Sequence, residues 1–259
     1  MNGTPARHPD LKTLSMDTAA QVGSVALLAG SQLLAQDHFQ GAAGHAILLP
    51  ERLATLLAQT ACSCADLDLI AVTMGPGSFA GLRIALGCAK GIALAQGTPI
   101  IGVSNLDLLA AGTGRQHGWV SVVVDARRGE IFAALYRLEN GVPYRHSAPD
   151  TAQAPELWAR HLATLPALLQ GEPLCLTGTG LQPYAELFRT MLPVPFETTP
   201  DSTWIGDPFL LGLLGQQLFR QQQAMTATTP GTPHTSYPDI TTRLDYQRRP
   251  DAEKRRSIL

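Results

Sequence analysis

The sequence contains few charged residues. Only 15% of its 259 residues are Asp, Glu, Lys or Arg, and 19 basic against 21 acidic side chains give a formal charge of −2. A protein that grips nucleic acid through many phosphates is far more basic. Hydrophobic residues make up 45%, which excludes wholesale disorder. Because charge is scarce, small and apolar side chains must cover much of the surface, and we expect part of it to contact another protein.

Long apolar runs and a cysteine framework are also missing. The most apolar stretch, residues 82–95, is interrupted by Arg83 and Lys90 and is too short to span a bilayer. The first 13 residues lack the apolar core of a secretory signal, so the expected compartment is the cytoplasm. Four irregularly spaced cysteines would form a poor disulfide framework, and we expect buried thiols: Cys62, Cys64, Cys88 and Cys175.

A two-fold internal repeat indicates the organisation of the chain. Residues 17–27 align with residues 125–135: each segment has Asp at a strand end, a short turn with Gly, and a strand ending in Ala-Leu. A helix, a strand and a Gly-rich turn follow each copy. This pattern predicts an α/β protein with two lobes of like topology, each a mixed sheet covered by helices. The expected parts are an N-terminal extension (1–13), lobe 1 (14–112), lobe 2 (113–225), and a linker and tail (226–259). The tail is expected either to pack back on lobe 1 or to stay mobile.

The turn at residues 75–83 is the most specific local motif. It follows an apolar strand and opens a helix, and Ser78 is placed to cap that helix. Pro76 removes a backbone donor and the next acidic residue comes too late for a dinucleotide site. A tight packing turn is the first interpretation. Weak phosphate binding is the alternative, and its candidate residues are Asp17, Thr18, Gly75, Gly77 and Ser78.

Two helices, predicted at 45–61 and 78–96, are the candidate partner-binding elements. In the second helix, small residues recur every four positions from Gly81, and Gly87 and Gly91 form another pair. Small residues allow helices to approach closely, whereas glycine inside a helix costs about 0.8–1 kcal/mol relative to alanine. We therefore expect a partner helix, with intramolecular packing as the alternative. The candidate interface residues are His45, Leu49, Leu53, Leu82, Arg83, Leu86, Gly87 and Lys90.

The sequence shows no catalytic or metal-binding constellation. A His-x-x-x-His pair beginning at His45 would require histidine at position 49, which is Leu49. The other histidines have no ligand spacing, and no Gly-Lys-Ser/Thr phosphate loop occurs. We therefore expect no catalytic residue, no metal and no tightly bound cofactor.

Several motifs together resemble the TsaB (YeaZ) family, the dimerization subunit of the bacterial complex that makes threonylcarbamoyladenosine in tRNA. The similarity covers nearly the whole chain from about residue 14, and the extension at 1–13 and the linker at 226–239 are departures. The motifs that carry it are Met16–Ala19, His45 with Leu48–Pro50, Gly75–Ile84, Ala89–Gly91, Gly102–Ser104, Asp125–Glu130, Gly178–Gly180 and Tyr246–Ala252.

The resemblance implies an actin-like, Hsp70-like and sugar-kinase-like (ASKHA) fold. It also implies a non-catalytic scaffold that activates a catalytic TsaD-like paralogue, with a TsaE-like ATPase as third partner and ATP used by the complex. The paralogue holds its metal with two histidines on the helix that begins here at His45, and Leu49 replaces the second. A homodimer through the same two helices is a further expectation, tRNA is reached only through the complex, and no membrane is involved. An ATP-using kinase or ATPase of the same fold is the alternative function, and a metallopeptidase is a third.

Overall fold

The computed structural model describes residues 10–40, 44–148, 151–165 and 172–227, and these residues form two compact units. The first contains the described residues up to Met74, Ser78–Val103 and those from Asp207 onward, and the second contains Gly75–Gly77 and Ser104–Gly206. Most of the predicted linker and tail, and residues 1–9 of the predicted extension, lie outside the described residues.

The first sheet has the strand order β3-β2-β1-β4-β5. Strands β1 and β2 form an antiparallel hairpin, β3 continues the meander, and β4 lies parallel to β1. A parallel strand requires a crossover, and the first helix supplies it. The elements are β1 (Lys12–Asp17), β2 (Gly23–Ala29), β3 (Gln32–Phe39), α1 (His45–Gln59), a 3₁₀ turn (Cys64–Asp66), β4 (Leu69–Gly75), α2 (Phe79–Gln96) and β5 (Ile100–Ser104).

The second sheet repeats this order as β8-β7-β6-β9-β10. Its first two pairs are antiparallel, and β9 is parallel to both β6 and β10. The prediction of two lobes of like topology is therefore confirmed. The elements are α3 (Asn105–Ala111), β6 (His117–Arg127), β7 (Glu130–Glu139), β8 (Val142–Ser147), α4 (Pro155–Ala163), β9 (Leu174–Thr177), α5 (Leu181–Met191), β10 (Phe196–Thr198), a 3₁₀ turn (Asp201–Trp204) and α6 (Pro208–Ala227).

The unit boundaries differ from the predicted ones at α6, which the prediction assigned to lobe 2. This helix covers the first sheet: the Ser15 hydroxyl donates to the Pro208 carbonyl at 2.6 Å, and the Gln216 amide donates to Thr13 Oγ1 at 3.0 Å. Its glycines allow this close packing, because a Cβ at Gly215 would lie 2.6 Å from the Cβ of Ala71. Apolar residues at helical spacing indicate that a helix packs against other elements. They do not indicate which sheet it covers.

The predicted boundaries are also wrong at three other places. Helix α3, assigned to lobe 1, belongs to the second unit, where Tyr136 donates to Asp107 Oδ1 at 2.6 Å. Strand β1 begins at Lys12, inside the predicted extension, because the Lys12 N–H donates to Asp68 Oδ2 at 2.8 Å. At the other end, α6 continues to Ala227, two residues into the predicted linker.

Candidate partner-binding surface on α1 and α2

One side of α2 is packed inside the first unit. Its buried residues are Gly81, Leu82, Ala85, Leu86, Ala89 and Ala93, which recur at helical spacing. Gly81 is required by close approach, because a Cβ there would lie 1.8 Å from the carbonyl oxygen of Thr18. The small-residue stripe that begins at Gly81 is therefore explained by packing on the helix's own unit.

The opposite side of α2 carries the second glycine pair and is exposed. A Cβ added at Gly87 or Gly91 would meet no atom within 4 Å. Leu94 is 70% exposed, and Phe79 is 55% exposed with the Arg83 guanidinium 4.0 Å from its ring centroid. Nothing within the described unit explains two helical glycines beside exposed apolar side chains.

Helix α1 has an exposed face of the same character. Ile47 is 64% exposed, and Pro50, Ala54 and Ala58 follow it on the exposed side. The buried side is formed by leucines that pack in the same core as α2: Leu49, Leu53, Leu56 and Leu57. We define the α1–α2 face as these exposed residues of α1 together with Phe79, Arg83, Gly87, Gly91 and Leu94 of α2.

Four of the predicted interface residues lie instead in the core of the first unit. Leu49, Leu53, Leu82 and Leu86 are each less than 10% exposed, so their side chains cannot also contact a partner. The physical reason is that apolar residues lie on both sides of these helices, so their spacing alone does not show which side packs against the sheet. Of the other predicted residues, Arg83 and Gly87 are exposed, and His45 and Lys90 are half-buried.

The α1–α2 face also contains residues that the sequence reasoning did not select. Ile47, Leu94, Phe79 and Gly91 are exposed, whereas the selected leucines are not. The signal was present in the sequence, because Gly87 lies four residues from both Arg83 and Gly91. Following that spacing from the charged residue would have defined the exposed stripe.

His45 stabilises the start of α1. Its Nε2 lies 3.0 Å from the Gln21 carbonyl oxygen, and its ring packs edge-on against Phe39 with 5.7 Å between ring centroids. These contacts engage the imidazole ring and one of its two nitrogens. They hold the helix N-terminus to the β1–β2 turn, which is a structural role.

The candidate phosphate-binding residues of the first unit are used in internal contacts. The Thr18 hydroxyl donates to the Gly81 carbonyl at 2.7 Å and accepts from the Ala85 N–H at 3.2 Å. The Ser78 N–H donates to the Ala19 carbonyl at 2.8 Å, and its hydroxyl accepts from the Gly81 N–H at 3.2 Å. Ser78 therefore caps α2 as predicted, and the donors that a phosphate would use already have protein acceptors.

Asp17, the acidic member of that set, is 2% exposed. Its Oδ1 accepts the Ala19 N–H at 2.8 Å. Burial raises the pKa of this carboxyl above its ordinary value, although the Ala19 N–H, the Thr73 hydroxyl and His45 act in the opposite direction. A buried carboxyl that closes its own turn is a structural group. The other candidates, Gly75 and Gly77, belong to the second unit, where the Asn105 amide donates to the Pro76 carbonyl at 2.8 Å.

Metal-ligating side chains do not gather in the described part of the chain. No three His, Cys, Asp or Glu residues within it are arranged to hold a metal ion, and its four cysteines are free thiols.

Helix α2 is also the one helix, within the described ranges, that is long and apolar enough to cross a bilayer. A core helix of a globular protein passes the same test, and one side of α2 does lie in such a core. The apolar residues on its other side belong to the α1–α2 face.

The fold and this face define an α/β protein with two mixed five-stranded sheets of like strand order and an apolar helical surface. The chain is 34% identical over 186 residues to the tRNA threonylcarbamoyladenosine biosynthesis protein TsaB of Escherichia coli, covering 68% of this chain and 75% of that protein. It is 33% identical over 129 residues to TsaB of Bacillus subtilis, covering 50% and 56% of the two chains. The chain belongs to the TsaB family.

Two further similarities agree with this assignment. The structure of YeaZ from Pseudomonas aeruginosa matches with a TM-score of 0.66 and 27% identity, covering 82% of this chain and 94% of that one. Residues 40–154 also match the family model described as TsaD, tRNA N6-adenosine threonylcarbamoyltransferase. The chain is thus similar both to TsaB proteins and, over part of its length, to a transferase family.

Proposed function

We propose that this protein is the non-catalytic scaffold of the complex that forms threonylcarbamoyladenosine in ANN-decoding tRNAs. It binds and activates a TsaD-like catalytic paralogue through the α1–α2 face, and a TsaE-like ATPase joins the complex, which uses ATP. The protein acts in the cytoplasm and contacts tRNA only within the complex. The similarity to TsaB proteins supports a role in threonylcarbamoyladenosine formation, and the match to a TsaD family model supports a paralogous partner of similar fold.

One observation carries the scaffold role: the exposed glycine pair of α2. Gly87 and Gly91 weaken the helix without serving any contact within 4 Å of a Cβ position. Helices approach most closely where side chains are smallest, and the flanking Ile47 and Leu94 supply apolar area. A partner helix packed on this strip explains the glycines. Free chains could pair through the same strip, so the scaffold's homodimer is the competing occupant.

The alternative function, an ATP-using kinase or ATPase, gains no support from the geometry. A phosphate at the β1–β2 turn would have to displace the contacts between Thr18 and Gly81 and between Ala19 and Ser78. The metallopeptidase interpretation likewise lacks a described cluster of ligands.

The decisive experiment replaces Gly87 with leucine. The free chain has room for the side chain, and leucine favours a helix more than glycine does, so the thermal midpoint of the free chain is expected not to fall. In the complex the new side chain holds the helices apart. Overpacking of about 1–3 kcal/mol corresponds to roughly 5- to 150-fold weaker association. Calorimetry with the TsaD-like subunit and an assay of threonylcarbamoyladenosine formation measure the effect.

A matched control places the same side chain on an exposed helix of the other unit. Gln182→Leu on α5 lies outside the α1–α2 face, so it should change neither association nor product formation. Normal association of folded Gly87→Leu would refute the proposed surface. Self-association lost in Gly87→Leu, with binding to the TsaD-like subunit intact, would instead assign the face to the homodimer.

A further inference from the structure

The hairpin between β6 and β7 has arginines where the backbone has positive φ angles. Arg127 pairs with Glu130, which leaves a two-residue loop of Arg128 and Gly129. Both loop residues have positive φ, 58° and 80°, and Arg127 before them has φ of 65°. Three consecutive residues are therefore in a backbone region that L side chains disfavour, and two of them are arginine.

The hairpin between β7 and β8 provides an internal comparison. Glu139 pairs with Val142 across another two-residue loop, Asn140–Gly141, with φ of 51° and 76°. Asn-Gly is the preferred pair for such loops because asparagine tolerates positive φ better than other side chains. The same chain thus uses the favourable residue in one hairpin and arginine in the other. Strain kept at an exposed position points to a role for the side chain.

Both arginines are exposed residues. The Arg127 side chain is 78% exposed, and its guanidinium lies 3.4 Å from Asp125 Oδ2. Asp125 belongs to the turn itself: its Oδ1 accepts the Arg127 N–H at 2.8 Å, and its own N–H donates to Thr179 Oγ1 at 3.1 Å. The Asp125 side chain is 18% exposed, but the guanidinium that it pairs with is largely in water. Solvent therefore screens the pair from the arginine side, and Arg127 remains accessible to a second anion. Arg128 is exposed beside it.

We infer that Arg127 and Arg128 contact the phosphate backbone of the tRNA substrate in the assembled complex, which rests on the proposed function. Guanidinium groups bind phosphate oxygens bidentately, and RNA presents a phosphate at every nucleotide. The formal charge of −2 is compatible with a contact of two phosphates but not with an extended basic surface. Such contacts position the RNA and do not read its sequence.

The test uses the complex of the full chain with its TsaD-like subunit and an unmodified ANN-decoding tRNA transcript. Fluorescence anisotropy gives the dissociation constant over a series of salt concentrations for wild type, Arg127→Asn, Arg128→Asn and the double variant. Each lost phosphate contact should lower the salt slope by about 1 and weaken binding roughly 5- to 8-fold at 0.1 M salt. Arg128→Lys, which keeps the charge, should retain the slope.

Thermal melts of the free variants separate this role from a structural one. Arg128→Asn relieves strain, so its midpoint should rise by about 1–4 °C while tRNA binding falls. Asn140→Arg in the other hairpin is the reverse control: its midpoint should fall, and tRNA binding should not change. A purely structural arginine could not give higher stability together with weaker binding.

Three results would overturn the inference. They are a wild-type complex that does not bind the transcript, variants with an unchanged salt slope, and variants that bind tRNA normally but lose affinity for a protein subunit. The last result would assign the hairpin to an acidic protein surface. The proposed function fails separately, if the wild-type complex binds tRNA but forms no threonylcarbamoyladenosine.

Discussion

Asp17 shows how a single buried group links the fold to pH. Burial raises the pKa of its carboxyl above 3.8, so the folded protein retains this proton to higher pH than the unfolded chain does. The unfolded chain therefore ionises first as pH rises. The stabilising effect of the shift is fully present below pH 3.8 and is lost as pH rises through the folded-state pKa.

We expect Asp17→Asn to increase the free energy of unfolding at pH 7 by roughly 1–3 kcal/mol, the usual cost of an imperfectly compensated buried polar group. Asparagine keeps an oxygen to accept the Ala19 N–H and has no charge to desolvate. The advantage should shrink as pH falls through the folded-state pKa and disappear well below pH 3.8, where the wild-type carboxyl is protonated in both states. Urea unfolding of both proteins between pH 4 and 8 measures it. An advantage that does not depend on pH would contradict this account.

Individual residues were predicted best where local chemistry decides the backbone. Asn-Gly is the preferred pair for a two-residue hairpin loop, and Asn140–Gly141 forms one. Ser78 caps α2 as its position suggested. The selection of Leu49 and Leu82 for the partner surface was wrong, because both are buried in the first unit. The sequence shows that a side chain is apolar, whereas its burial depends on which neighbour the sheet places beside it.

At the scale of elements, glycines in α2 and α6 have opposite roles. Gly91 of α2 faces open space, whereas a Cβ at Gly215 of α6 would lie 2.6 Å from the Cβ of Ala71 and 3.0 Å from Ile101 Cγ2. Gly215 therefore permits α6 to lie close to the first sheet. Both glycines lower the helix propensity. Only Gly215 permits close packing within the chain.

Alanine substitutions distinguish the two roles. In the free chain, Gly91→Ala should raise the free energy of unfolding by up to about 1 kcal/mol through helix propensity alone. Gly215→Ala should lower it by about 1–3 kcal/mol, because the Ala71 methyl and the strand backbone must move. Chemical denaturation of the two variants beside wild type measures the difference. Equal stabilisation by both would mean that α6 is not packed on the first sheet as the structure shows.

The hairpins could be predicted from the sequence, whereas the packing partner of α6 could not. The repeat in residues 17–27 and 125–135 was correct because each hairpin is specified by adjacent residues, and the two sheets have the same order. The assignment of α6 to lobe 2 was wrong because its partner strands lie far earlier in the chain, as in the contact of Gln216 with Thr13, which are 203 residues apart. The spacing of apolar residues within a helix does not identify a packing partner so distant in the sequence.

At the scale of the whole molecule, the described residues form an exposed apolar helical face and no group of three metal-ligating side chains. The α1–α2 face is apolar and contains unexplained glycines. Thr18 and Ser78, where a phosphate would bind, are engaged with Gly81 and Ala19. Because fold alone supports many functions, the similarity to a transferase family assigns no activity to this chain. The proposed function instead makes the chain an activator of another protein.

We therefore expect the purified chain to form no threonylcarbamoyladenosine by itself and to support formation when mixed with the TsaD-like subunit, the ATPase, ATP and the threonylcarbamoyl donor. The untagged chain should also carry no stoichiometric zinc or iron and cleave no peptide, because Leu49 stands where the paralogue's second histidine would be. Product analysis of tRNA digests and elemental analysis of the protein measure both outcomes. Omission of the TsaD-like subunit is the control, since the remaining mixture should be inactive. Turnover by the chain alone, or one metal equivalent that disappears in His45→Ala, would show that a catalytic centre had been missed.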